Sequence, residues 1–156
     1  MPDPITGEGF DAPSPEVAYM SAPDMLHEAA ELARISERLQ VEANVSCAEV
    51  SPSSVTWVAA ARTRRASTAS IAGEPYEPDE HQERLYLLRR AALADRLSIA
   101  YPDVEDFVTD AAQLAHRLAE FDREHDTHGG PHGPGAIEWD PSHRPYVRQE
   151  YDHWGW

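Results

Sequence analysis

Asp122, His125, Asp126, His128 and His132 share the stretch DREHDTHGGPHGPGAIEWD, Asp122 to Asp140. Carboxylates and imidazoles are zinc and nickel ligands, and such a site draws three or four of them to about 2.0–2.2 Å from the ion. Asp122 and His125 can share the last turn of a helix. His128 and His132 fall instead among Gly129, Gly130, Pro131, Gly133, Pro134 and Gly135, which provide no rigid support. The stretch is therefore read as the end of a helical domain and the start of a polar tail. A metal-dependent enzyme or metal-binding protein using residues 122–132 stands as an alternative.

Other routes to chemistry are thin. There is no HExxH, no CxxC pair, no EF-hand loop and no glycine-rich phosphate loop of the GxxxxGK[ST] or GxGxxG type. Cys47 is the only cysteine, has no evident base beside it and excludes an intramolecular disulfide. Acids such as Glu105, Asp106 and Asp110 are common on helix faces. The chain is read as non-enzymatic, with no catalytic residue, no metal site and no cofactor assigned.

The elements that must position these residues are helical. Leu85, Leu88, Ala92 and Ile99 form one stripe, and Tyr86, Leu93, Leu97 and Ala100 form another, as expected for a helix packed on two sides. Tyr101-Pro102 breaks that helix, and Asp103 is expected to cap the next. There Val104, Phe107, Val108, Ala111, Leu114, Ala115, Leu118 and Phe121 repeat at spacings of three and four. So short a link makes residues 80–124 an αα-hairpin of roughly 30 Å, with Leu88 and Leu118 in its core. An amphipathic helix is expected at about 24–43, started by Pro23 and Asp24, with Met25, Leu26, Ala29, Leu32, Ala33, Ile35 and Leu39 on its apolar face. Another is expected at about 52–65 after Ser51-Pro52.

These elements predict an all-α fold: a small three- to four-helix bundle with a central αα-hairpin, a flexible N-terminal arm and a Gly/Pro/His-rich C-terminal tail. Residues 1–23, with five prolines and no periodicity, form the arm. Residues 24–125 form the bundle. Residues 126–156 form a tail ending in a short aromatic docking segment, where Pro145 suits a helix start and Val147, Tyr151 and Trp154 lie at i, i+4 and i+7.

Two binding constellations follow. Trp139, Tyr146, Tyr151, Trp154 and Trp156 concentrate in the last 18 residues, whereas disordered segments are poor in aromatics. With Val147 they are the expected partner-binding residues, docking either on the bundle itself, which is preferred, or on another protein. Residues 41–65 resemble a degenerate helix-turn-helix, in which Val50 and Ser51 form the turn and Arg62, Arg64 and Arg65 grip phosphate. Glu49 and Val45 depart from the turn glycine and small alanine usual there.

The formal charge of −15, from 28 acids against 13 basic residues that are all arginine, repels nucleic acid and anionic membranes except at a local basic patch. The first residues lack the basic and apolar regions of a secretory signal, and no apolar run approaches the roughly 20 residues of a membrane span. A cytoplasmic protein is expected. LLRRAALADRLSIA (87–100) and WDPSHRPYVRQEY (139–151) resemble small uncharacterised helical proteins of actinobacterial plasmids and integrative elements, over about residues 84–156. That resemblance implies an accessory setting and carries over no activity and no functional residue. The combined reading is a non-catalytic protein-protein interaction or accessory protein, with DNA binding through 41–65 as the rival.

Overall fold

The computed structural model describes residues 12–48 and 79–155. Residues 1–11, the expected helix at 52–65 with Arg62, Arg64 and Arg65, and Trp156 lie outside the described residues. Within them the protein is all-α, with no strand: α1 (Pro15–Ala18), α2 (Met25–Ala48), α3 (Glu80–Ala100), α4 (Glu105–His125), a single 3₁₀ turn (Ile137–Trp139) and α5 (Arg144–Trp154).

Asp24 opens α2 as expected, its Oδ1 accepting from the backbone N–H groups of Leu26 and His27 at 2.9 and 3.3 Å. The face that α2 buries is rotated from the expected one. Leu32 is buried while Leu26, Ala29 and Ala33 are exposed, because Glu28 turns inward to meet Arg89 of α3 through two bonds of 2.7 and 2.8 Å. The helix also runs on to Ala48, beyond its expected end near residue 43. Residues 41–48, the first part of the proposed helix-turn-helix, are thus continuous helix.

The αα-hairpin lies where expected. Asp79 caps α3 by accepting from His81 N–H. The cap of α4 differs: Val104 occupies that position and no side chain caps it, so Asp103 does not play the expected part. The seam between the helices is built from Leu88, Ala91 and Ala92 against Ala115, Leu118 and Ala119, all 0–1% exposed. Alanines let helix backbones approach closely, and the two leucines fill the layers between. Two positions on the buried face of α3 are polar, Asp95 and Ser98, whereas Ile99 and Ala100 of the expected stripes are exposed.

Those polar positions receive the C-terminal segment. Residues 126–155, expected as a flexible tail, pack on the hairpin, and every residue from Arg144 to Tyr151 is buried. α4 ends at Asp126 in the left-handed conformation (φ 54°), and Thr127 N–H bonds back to the Asp122 carbonyl. The chain then crosses α5, passes the 3₁₀ turn and the cis Asp140–Pro141 bond, and enters α5 through His143. α5 lies against both α3 and α4, and α1 closes over it, Tyr19 meeting Tyr151 edge-on at 5.2 Å. Part of the expected N-terminal arm, residues 12–23, is therefore also structured.

Candidate functional site

The chemically capable side chains converge where α5 meets the hairpin. They form two clusters along one groove. At the N-terminal half of α5, Asp95 is fully buried and accepts from Arg144 Nε at 2.5 Å, from Arg148 Nε and Nη2 at 2.8 and 3.1 Å, and from the Tyr19 hydroxyl at 2.8 Å. Ser98 Oγ accepts from Arg144 Nη2 at 2.7 Å and donates to the Asp95 carbonyl at 2.7 Å. Two guanidinium groups face one carboxylate, a formal charge of +1. Arg148 Nη1 is buried with no hydrogen-bond partner among the described residues.

The second cluster carries the opposite sign. Asp122, also fully buried, accepts from Arg84 Nε and Nη2 at 2.5 and 2.9 Å, from the Tyr146 hydroxyl at 2.7 Å and from Thr127 Oγ1 at 2.7 Å. Arg84 Nη2 also donates to Glu150 Oε2 at 2.7 Å. One guanidinium serves two carboxylates, a formal charge of −1 that offsets the first cluster along the groove. The remaining capacity of Glu150 is filled by Gly129 and Gly130 N–H at 2.7 and 2.9 Å and by Gln149 Nε2 at 3.0 Å. This approach needs the two glycines, because a Cβ would lie 2.6 Å from His153 Cδ2 at Gly129 and 2.3 Å from Gln149 Nε2 at Gly130.

Such saturation decides what the groups can do. A buried charge is tolerated only when paired and hydrogen-bonded, and a carboxylate with its lone pairs filled has none left for a substrate proton. Burial, then the neighbouring Glu150 and the bond to Asp122, push the Tyr146 phenol far above its ordinary range. Burial and Asp95 do the same to Tyr19. Both phenols are hydrogen-bond donors here rather than nucleophiles. The clusters position α5.

The expected partner-binding residues are brought together inside this chain. Trp139, Tyr146, Val147 and Tyr151 are at most 2% exposed, and Trp154 is half-buried. Trp139 Nε1–H donates to the Gly133 carbonyl at 2.8 Å, and its ring lies 5.8 Å from Tyr146. Sequence reasoning missed Arg84, Asp95, Ser98, Arg144, Arg148, Gln149 and Glu150. The available signal was Arg144 and Arg148 at i, i+4, facing Asp95 and Ser98 at i, i+3.

The residues of the alternative metal-binding reading are dispersed. Asp122 belongs to the second cluster. His125 stacks on Phe121 at 4.3 Å, with Nδ1 3.5 Å from Glu80. His128 Nδ1 lies 3.9 Å from Asp126, and His132 exchanges backbone bonds with the Gln149 side chain at 2.8 and 3.2 Å. Among the described residues no three His, Cys, Asp or Glu side chains are grouped to hold a metal ion.

A separate histidine pair sits at the entrance to α5. His143 has φ 55°, a left-handed conformation that histidine adopts more readily than most residues. Its ring lies 4.3 Å from that of His116 on α4 at 41°, and its buried Nδ1 has no hydrogen-bond partner among the described residues, with Asp140 Oδ1 at 3.7 Å. Burial, with help from His116 and Arg123, holds the His143 pKa below the usual imidazole value, and Asp140 opposes them.

Fold and site together describe an all-α bundle closed by its own C-terminal helix, with no helix among the described residues long and apolar enough to cross a membrane. Compared with known proteins, the chain matches no family model, no curated protein and no solved structure.

Proposed function

We propose that this protein is a non-catalytic interaction or accessory protein, working in the cytoplasm in the setting of a mobile element. One observation carries the reading: the clustered groups best suited to chemistry, Asp95, Asp122, Glu150 and the arginines beside them, are buried and committed to holding α5. What the chain offers outward is different. Val17, Met20 and Leu26 are 53%, 79% and 83% exposed around the corner from α1 into α2, interspersed with the exposed acids Glu16 and Asp24. Exposed apolar side chains framed by charge are usual at protein interfaces. With a net charge of −15, the favoured partner presents an apolar surface edged with basic residues.

The aromatic residues of α5 serve this function indirectly, by completing the bundle that displays the corner. The test uses the full chain and a Met20→Glu/Leu26→Glu pair. A partner captured by the native chain and lost with the pair, at an unchanged urea midpoint, supports the reading. Retention of that partner by the pair removes the corner from it, and loss only with an α5 variant that remains folded returns the binding role to the aromatic segment.

A further inference from the structure

α5 is fastened at several points along its length. Its middle and C-terminal half are held by Arg148, Gln149 and Glu150, with bonds to α3 and to the segment that crosses it. Its first turn is held by Arg144, which reaches Asp95 and Ser98, by the buried Tyr146, which donates to Asp122, and by the ring of His143 packed against His116. We propose that the His116–His143 pair is a proton-operated latch: protonation of the pair pushes His143 off α4 and releases the first turn of α5.

The geometry supplies each part of the device. His116 Nδ1 donates to the Ala112 carbonyl at 2.7 Å, so the neutral ring carries its proton there and keeps Nε2 as the basic nitrogen. His116 also lines an open depression on the outer face of α4, with Val108, Ala112 and Arg117, which opens its ring to solvent. His143 is only 7% exposed and its Nδ1 has no hydrogen-bond partner among the described residues, so a proton there would place a charge in a buried position with only the Asp140 carboxylate, 3.7 Å away, toward it.

The groups facing His143 mostly oppose that charge. From α4 come His116 and Arg123. From its own helix comes the N-terminal end of α5, whose dipole disfavours a cation. Arg144 follows it in sequence and is engaged with Asp95 and Ser98 of α3. Against them stands Asp140 alone, whose side chain is 64% exposed and therefore strongly screened. His143 thus binds its proton more weakly in the folded chain than in the unfolded one. By linkage, the stability it contributes is present above the ordinary imidazole pKa and is lost as pH falls through the lower folded value. The window is mildly acidic.

The test is hydrogen exchange on the full chain at about pH 7.5 and about pH 5.5, corrected for intrinsic rates. Three forms are compared: native, His143→Asn, whose side chain also accepts a left-handed backbone, and His116→Gln. In the native chain, protection of the first turn of α5 should fall severalfold relative to that of α3 on going from the higher pH to the lower. His143→Asn should hold that ratio constant, and His116→Gln should show a smaller fall than the native chain. A native ratio that does not change with pH overturns the latch. So does an equal acid loss in either folded variant, or a fall in which α3 and α5 lose protection together. Should one variant fail to fold, the other and the native ratio still decide.

Discussion

The α3–α4 seam and the α5 seat lie against each other and are built on different principles. The seam is alanine and leucine, and its stability comes from burying apolar surface without voids. The seat adds Tyr146, Val147 and Tyr151 to that core but is fixed by three buried or nearly buried charges of each sign: Arg84, Arg144 and Arg148 against Asp95, Asp122 and Glu150. An apolar seam tolerates sliding and repacking, whereas bidentate arginine pairs fix one register and one orientation. The cost is fragility. Removal of one partner from a buried pair strands the other charge, which is worse than leaving out the pair altogether.

That contrast sets the order of expected effects. Asp95→Ala strands Arg144 and Arg148 together and removes the acceptor of Tyr19, so it should destabilise most, by about 3–5 kcal/mol. Urea unfolding measures it. Leu118→Ala removes a fully buried side chain from the seam and should cost about 2–5 kcal/mol, with the same cooperative transition. A loss for Asp95→Ala well below that for Leu118→Ala would show that the ion pairs decorate the seat rather than hold it.

Tyr146→Phe keeps the ring and deletes one bond to Asp122, which retains Arg84 and Thr127. A loss of about 1.5–3 kcal/mol at neutral pH is expected for a buried bond to a charged group. Its pH dependence is specific. The folded-state pKa of Tyr146 is raised, so the stability it contributes is fully present below the ordinary phenol value and is lost as pH rises beyond it. The native chain should therefore lose stability more steeply than Tyr146→Phe above about pH 10. Smallest of all, His128→Ala should stay within about 0.5 kcal/mol, because the ring is partly exposed and the carboxylate beside it, Asp126, is almost fully solvated.

The seam was legible in the sequence and the seat was only half so. Of the stripe Val104, Phe107, Val108, Ala111, Leu114, Ala115, Leu118 and Phe121, all but Val104 at the cap are buried or half-buried as the helical spacing predicts. In α5 the apolar positions, Val147, Tyr151 and Trp154, were legible for the same reason, as was Pro145 near the helix start. Arg144, Arg148, Gln149 and Glu150 carry no sequence signal of burial, since such residues are almost never fully buried unless paired. Their partners come from helices distant in sequence, 49 residues from Asp95 to Arg144 and 66 from Arg84 to Glu150, and local periodicity carries no trace of such pairing. The glycines at 129 and 130 misled in a related way. Their freedom from side chains, read as looseness, serves a close approach to Glu150.

The most direct measurement of α5 as an integral part of the bundle is native-state hydrogen exchange on the unmodified chain at neutral pH. Amides of Val147 to Tyr151 should be protected to the same extent as those of Leu87 to Asp95 in α3, because both open only when the shared core opens. Exchange of the α5 amides at rates near those of an unstructured peptide, with α3 still protected, would contradict it and restore the segment to a tethered tail.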